Sequence, residues 1–161
     1  MTPTTPYDAL RASSLAAELT DEQCRTLAAQ ITMRDLADGD VLVREGTSDS
    51  HLYLLVAGSV SVARAAGTPE EVTLFTLKAG DAVGELSFLD DNVHFASVVA
   101  RGAGRVLVLG RAQLESLLGS NPYIVYRVMR AIVRHVHQVQ HRLSAQASEL
   151  TNYITKTHGR Y

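Results

Sequence analysis

The spacing of hydrophobic positions changes twice along the chain and divides it into segments. Residues 1–8 hold two prolines and three threonines and read as a loose lead. Ala9 to Leu19 has helical composition. Thr20 followed three places later by Gln23 is a capping-box pattern. Asp21 and Glu22 sit where a helix dipole favours anions, so a second short helix is predicted there. From Ile31 to about Leu109 the apolar runs are short and separated by turn residues. Val41-Leu42-Val43 follows Gly39-Asp40, Leu52 to Val56 lies between Gly46 and Gly58, and Val60 and Val62 alternate with serines. Val72 to Leu77 follows Gly67-Thr68-Pro69, and Val98-Val99 and Val106 to Leu109 flank Gly102 and Gly104. Many short strands with glycine punctuation predict a sandwich or barrel, and a jelly roll is one closed antiparallel form.

The pattern changes again at Gly110. Arg111 to Leu118 predicts a short helix ended by Gly119, and Asn121-Pro122 then opens a long one with proline in its first turn. Tyr123 to Tyr153 contains no Gly or Pro; at ~1.5 Å per residue such a helix runs about 50 Å. Val125, Met129, Ile132, Val136, Val139, Leu143, Gln146, Leu150 and Tyr153 are spaced alternately four and three apart, as in a coiled-coil seam. The helix is longer than a small barrel can cover. Its distal half is expected to pack on the same helix of a second subunit, giving a parallel homodimer through residues 121–154. The other reading packs the seam on its own barrel. The expected divisions are 1–19, lead and helix; 20–119, jelly roll with flanking short helices; 120–155, long helix; and 156–161, tail.

Composition narrows the function classes. With 161 residues, 46% hydrophobic and 20% charged, the chain reads as one soluble globular unit. The lone Cys24 excludes a disulfide framework, a four-cysteine zinc site and a multi-cysteine cluster. It reads as a buried structural thiol. No apolar run approaches the ~20 residues of a membrane span. No secretion signal is visible at Met1 to Leu10, so a cytoplasmic location is expected. Net charge is −2, but residues 1–120 carry −7 and residues 121–161 carry +5. That break suggests either a basic contact surface for an acidic partner or nucleic acid, or a solvated helix face balancing an acidic body.

Candidate chemistry concentrates in Gly80-Asp81-Ala82-Val83-Gly84-Glu85-Leu86-Ser87-Phe88-Leu89. A strand is expected to end at Gly84 and an apolar helical turn to start at Leu86. Glycine admits close approach of a ligand to the backbone, and a helix start offers unpaired N–H groups to an anion. Glu85 would place a carboxylate there, suited to accept hydrogen bonds from ribose-type hydroxyls.

In order along the chain come Gly39-Asp40, Glu45-Gly46, Tyr53, Gly58, Gly80-Asp81, Gly84-Glu85 and Asn121-Pro122 with the long helix. On this ordered set the chain resembles the cyclic-nucleotide-binding domains, most closely the sensor half of the Crp/Fnr family of bacterial regulators, over about residues 20–150. The resemblance implies a β jelly roll flanked by helices, with the long C-terminal helix as the dimerisation element. It also implies a phosphate-binding cassette. The glycine and the following N–H groups hold the cyclic phosphate, the glutamate binds the ribose 2′-hydroxyl, and a downstream arginine, followed by small residues, pairs with the phosphate. Gly84, Glu85, Leu86 and Ser87 fit that pattern.

Three departures follow. The arginine position holds His94, the next holds Phe95, and only Ala96 then matches. Arginine brings a permanent charge and a two-pronged donor, whereas an unperturbed histidine is mostly neutral near pH 7; a ring at Phe95 would fill space that the phosphate needs. On the long helix, the places that contact the base in the family's cyclic-AMP-responsive activator fall on Val139 and Gln140, of which Gln140 could hydrogen-bond a base. The family's helix-turn-helix domain has no counterpart before Tyr161, so direct sequence-specific DNA binding is not expected.

Other constellations are weaker. His137 and His141 share a helix face, but no carboxylate or cysteine joins them at ligand spacing, so no metal is expected. Only His51 and His94 lie on the barrel, on separate segments, which argues against a cupin-type metal enzyme and gives little to a haem site. There is no recognisable nucleophile motif. The expected function is a non-enzymatic stand-alone sensor or adaptor. It would take cyclic AMP or cyclic GMP through Gly84, Glu85, Leu86, Ser87, His94, Phe95, Ala96 and Gln140, and signal through an unidentified partner protein. The alternative is a degenerate domain that binds another small ligand or acts only as a dimeric scaffold.

Overall fold

The computed structural model describes residues 5–158, with side chains through Ile154. Residues 1–4 of the lead and 159–161 of the tail lie outside the described residues.

Eight strands form two antiparallel four-stranded sheets. The first has the order β1-β8-β3-β6, built from β1 (Thr32–Leu36), β3 (His51–Ala57), β6 (Ala82–Val83) and β8 (Gly104–Gly110). The second has the order β2-β7-β4-β5, built from β2 (Val41–Val43), β4 (Ser59–Arg64), β5 (Val72–Lys78) and β7 (Ser97–Ala100). The helices are α1 (Pro6–Arg11), α2 (Asp21–Ala28), α3 (Glu85–Asp90), α4 (Arg111–Glu115) and α5 (Pro122–His158).

The two-residue period of a strand explains the layering. On β3, Leu52 and Leu54 face a core shared with Leu10, Leu27, Phe88, Ile124, Val128 and Ile132 of the helices. The alternate residues Tyr53 and Leu55 face a second core between the sheets, with Val43, Val62, Leu77, Ala96 and Val98. On β8, Leu107 and Leu109 take the helical side and Val106 the inter-sheet side. The central strands are covered on both faces and so read as continuous apolar runs. Among the described residues the arrangement is mainly β with flanking helices, as the spacing predicts.

Local signals hold in most places. Thr20 and Gln23 form the reciprocal capping box, and Pro122 starts α5. The N-terminus departs from expectation. The first helix begins at Pro6, where Thr5 caps it by accepting from the Asp8 N–H at 3.1 Å. It ends at Arg11, and a single 3-10 turn, Ser14–Ala16, replaces the rest of the predicted segment. The Ser13-Ser14 pair explains the break, since serine offers the backbone competing local bonds; the Ser13 hydroxyl donates to the Leu10 carbonyl at 2.6 Å.

The expected α5 seam divides between two surroundings. Ile132 is buried against its own body, Val139 is half-buried, and Val136, Leu150 and Tyr153 are exposed. The helix arginines are engaged within the chain. Arg127 donates to Gln23, Arg130 and Arg134 pair with Glu18, and Arg142 pairs with Asp81. The uneven charge of the sequence is thus partly a set of ion pairs between helix and body.

Candidate functional site

The sequence builds the site at the point where β6 gives way to α3. Gly84 caps α3 with φ +90°. A Cβ there would stand 2.5 Å from the His51 carbonyl oxygen, so both the dihedral and the space call for glycine. α3 then begins at Glu85, one residue before the expected start. Its buried side, Ser87 and Phe88, packs into the body, while Leu86 points outward and is exposed.

Two adjoining hollows meet here. The larger, of about 120 Å³, is lined mainly by apolar groups, including Val43, Val62, Phe75, Leu77, Val98 and Val139. The smaller, of about 70 Å³, lies over Gly84 to Ser87 and Val93 to Phe95. Gly84, Glu85, His94 and Phe95 line both. Phe95 does not plug either one, because it is 58% exposed and stands at the rim. Ala96 is buried and lines the larger hollow.

Glu85 is half-buried, and burial pushes its carboxyl above the usual range, partly offset by its own backbone N–H. No lysine or arginine lines either hollow among the described residues. His94, only 9% exposed, places Nε2 3.3 Å from Asp49 Oδ1. Its backbone is clamped too: its N–H donates to the Thr47 carbonyl at 2.7 Å and its carbonyl accepts from Gly46 at 2.8 Å.

Asp49 is the residue that sequence reasoning missed. Its Oδ2 accepts from the Tyr53 hydroxyl at 2.5 Å, and its backbone N–H donates to the Ser87 hydroxyl oxygen at 3.0 Å. Burial, and then the Asp49 carboxylate, push the Tyr53 phenol above its ordinary value, so it stays a neutral donor. The loop before β3 is thereby tied to α3 and to His94. The only signal was a run of turn-forming residues, Thr47-Ser48-Asp49-Ser50, which does not reveal a partner 45 residues away.

The Ser87 hydroxyl is engaged by the loop before β3. The residue is 1% exposed, and its hydroxyl oxygen accepts from the amides of Asp49 and Ser50. Ser87, His94 and Asp49 are therefore neighbours without the order of a nucleophile triad, in which the serine donates to the imidazole. Gln140 is exposed and lines neither hollow; Val139 takes the position facing the larger one. His137 and His141 stand edge-to-face on exposed α5 with ring centroids 4.6 Å apart. Among the described residues no group of three or more potential metal ligands is found.

The cyclic nucleotide-binding domain model matches residues 33–121. A cAMP-dependent protein kinase regulatory subunit from Blastocladiella emersonii is 33% identical over 91 residues, covering 56% of this chain and 23% of that one. A CRP-like cAMP-activated global transcriptional regulator from Mycobacterium tuberculosis is 25% identical over 118 residues, covering 73% and 53%. The chain thus spans about a quarter to a half of these relatives' length. The crystal structure of the N-terminal domain of a transcriptional regulator from Streptomyces coelicolor A3(2) superposes with a TM-score of 0.68 at 30% identity. That match covers 84% of this chain and 94% of the other. No helix among the described residues is long and apolar enough to cross a membrane. The protein belongs to the cyclic nucleotide-binding domain family.

Proposed function

We propose that this chain is a non-catalytic regulatory domain that takes a cyclic mononucleotide weakly in the paired hollows and passes the event to a partner through α5. The carrying observation is the open two-lobed site at Gly84, with Glu85 in its wall and Phe95 turned to the rim. The α3 amides and Gly84 face the phosphate, Glu85 takes the ribose hydroxyls, and the apolar hollow offers the base a surface at Val139. His94 replaces the arginine, which removes a permanent bidentate charge from the phosphate side.

Calorimetry with cyclic AMP on the unmodified protein and on His94→Ala tests the role of His94. The variant binds more weakly, because the phosphate loses a ring N–H donor. Equal affinities would remove His94 from the phosphate. Glu85→Ala lowers affinity about tenfold or more, in keeping with ~1.5–3 kcal/mol for hydrogen bonds to a charged group; an unchanged affinity would displace the ribose from Glu85. A second reading, a scaffold that binds no nucleotide, is favoured by the approach of Asp49, which already occupies the His94 ring.

Pairing of two copies through helix 121–154 supplies the output surface in either reading. The exposed stripe Tyr126, Val133 and Val136, beside half-buried Met129, supports it. Sedimentation velocity at micromolar concentration gives a dimer, and Val133→Glu gives a monomer. A monomeric unmodified protein would contradict the pairing.

A further inference from the structure

β6 is only two residues long and lies at the edge of its sheet, paired to β3 through Tyr53–Val83 and Leu54–Ala82, with Leu55 of β3 bonded to Gly80 and Asp81 just before it. It nevertheless delivers Gly84 and Glu85 to the site. An outward amide of an edge strand normally has no strand to bond, and a buried N–H needs an acceptor. At Ala82 the acceptor is the Nε2 of His135, 3.0 Å away on α5. His135 is 6% exposed. Two turns further along the same helix, Arg142 brings NH1 and NH2 each to 3.3 Å from the carboxylate oxygens of Asp81, itself 7% exposed. Asp81 Oδ2 also accepts from the Lys78 N–H at 3.0 Å. Between these contacts, Val139 reaches the larger hollow. One face of α5 thus holds the strand at two consecutive residues and touches the site between them.

We propose that His135 and Arg142 clasp Asp81 and Ala82, so that α5 positions the strand carrying Gly84 and Glu85, and that protonation of His135 opens the clasp. A protonated imidazole has no lone pair for the Ala82 N–H and turns a second donor toward it. The charged groups acting on His135 are Asp81, on the turn before β6, and Arg142, on its own helix. Glu18, after the 3-10 turn packed on α5, is already paired with Arg130 and Arg134. Burial, foremost, and the Arg142 charge push His135 below the ordinary imidazole value, and the Ala82 N–H favours the same neutral form by donating to its lone pair; Asp81 partly opposes them. The sign follows. The unfolded chain binds the proton more readily, so the clasp is fully closed above the unfolded value of ~6.5. It is lost as pH falls through the lower folded value.

The clasp's effect on a ligand rests on the site proposed above, but its own test uses no ligand. Nitrogen-15 spectra of the full chain are recorded from pH 8 to pH 5. The amide signals of Ala82, Val83 and Gly84 move with the same midpoint as the His135 ring signals, below the free imidazole value. His135→Gln, which keeps an acceptor oxygen without a titrating group, holds these amides at their high-pH positions down to pH 5. Arg142→Gln removes the neighbouring cation and raises the His135 midpoint. Amides that stay still while His135 titrates would overturn the proposal. So would a pH response that survives His135→Gln, or a midpoint that falls in Arg142→Gln. Repeating the cyclic AMP calorimetry in His135→Gln separates this imidazole from His94, so the ligand site and the clasp can fail independently.

Discussion

The double substitution His94→Arg with Phe95→Ala tightens binding of cyclic AMP ten- to a hundredfold. On the proposed reading the backbone upstream needs no change. Gly84 has the left-handed dihedral and the close approach to the His51 carbonyl that call for glycine, α3 starts beside the hollow, and Glu85 stands in its wall. What is missing is a permanent cation. A charge-assisted hydrogen bond contributes roughly 1.5–3 kcal/mol, and about 1.4 kcal/mol corresponds to a factor of ten in affinity. Asp49, beside Nε2 of His94, would hold the new guanidinium in place. Phe95→Ala alone changes affinity less than about threefold, because the ring lines the hollows from the rim and is mostly exposed. Calorimetry of the variant and the unmodified protein in the same buffer gives the comparison. A double variant that folds but binds no better would show that the phosphate does not sit at residue 94.

The second large effect is on stability. Phe88 is 1% exposed and anchors α3 in the core shared by the helices and the first sheet. Phe88→Ala removes that anchor and leaves a cavity, costing about 3–5 kcal/mol. That is a large fraction of the ~5–15 kcal/mol by which domains are stable. Two residues earlier, Leu86 is 62% exposed, and Leu86→Ala changes stability by less than ~0.5 kcal/mol. Urea unfolding of both variants checks the contrast. A loss below ~1 kcal/mol for Phe88→Ala would mean that α3 is not held by its buried ring.

The strands and the long helix were legible in the sequence because their signals are local. Glycine-bounded apolar runs mark β3, β4 and β8, and Pro122 marks the start of α5. Gly84 and Glu85 were legible because a turn and a helix start are written in adjacent residues. Asp49 was not, since its partners at Tyr53, Ser87 and His94 come together only when the sheets close. Nor were the roles of His135 and Arg142. On the sequence they belong to a basic helix, and only the packing of α5 on β6 turns one into an acceptor for a sheet-edge amide and the other into a partner for Asp81. Val139 and Gln140 were inferred together from resemblance; Val139 lines the larger hollow, and Gln140 lies one residue, about 100° of helix, from that face.

Titration of the unmodified protein with cyclic AMP, followed by nitrogen-15 spectra at pH 6 up to millimolar ligand, tests the proposed site most directly. Saturable shifts confined to residues 84–87, 94–96 and the neighbourhood of Val139 are the expected result. Spectra that stay unchanged at millimolar cyclic AMP would contradict it.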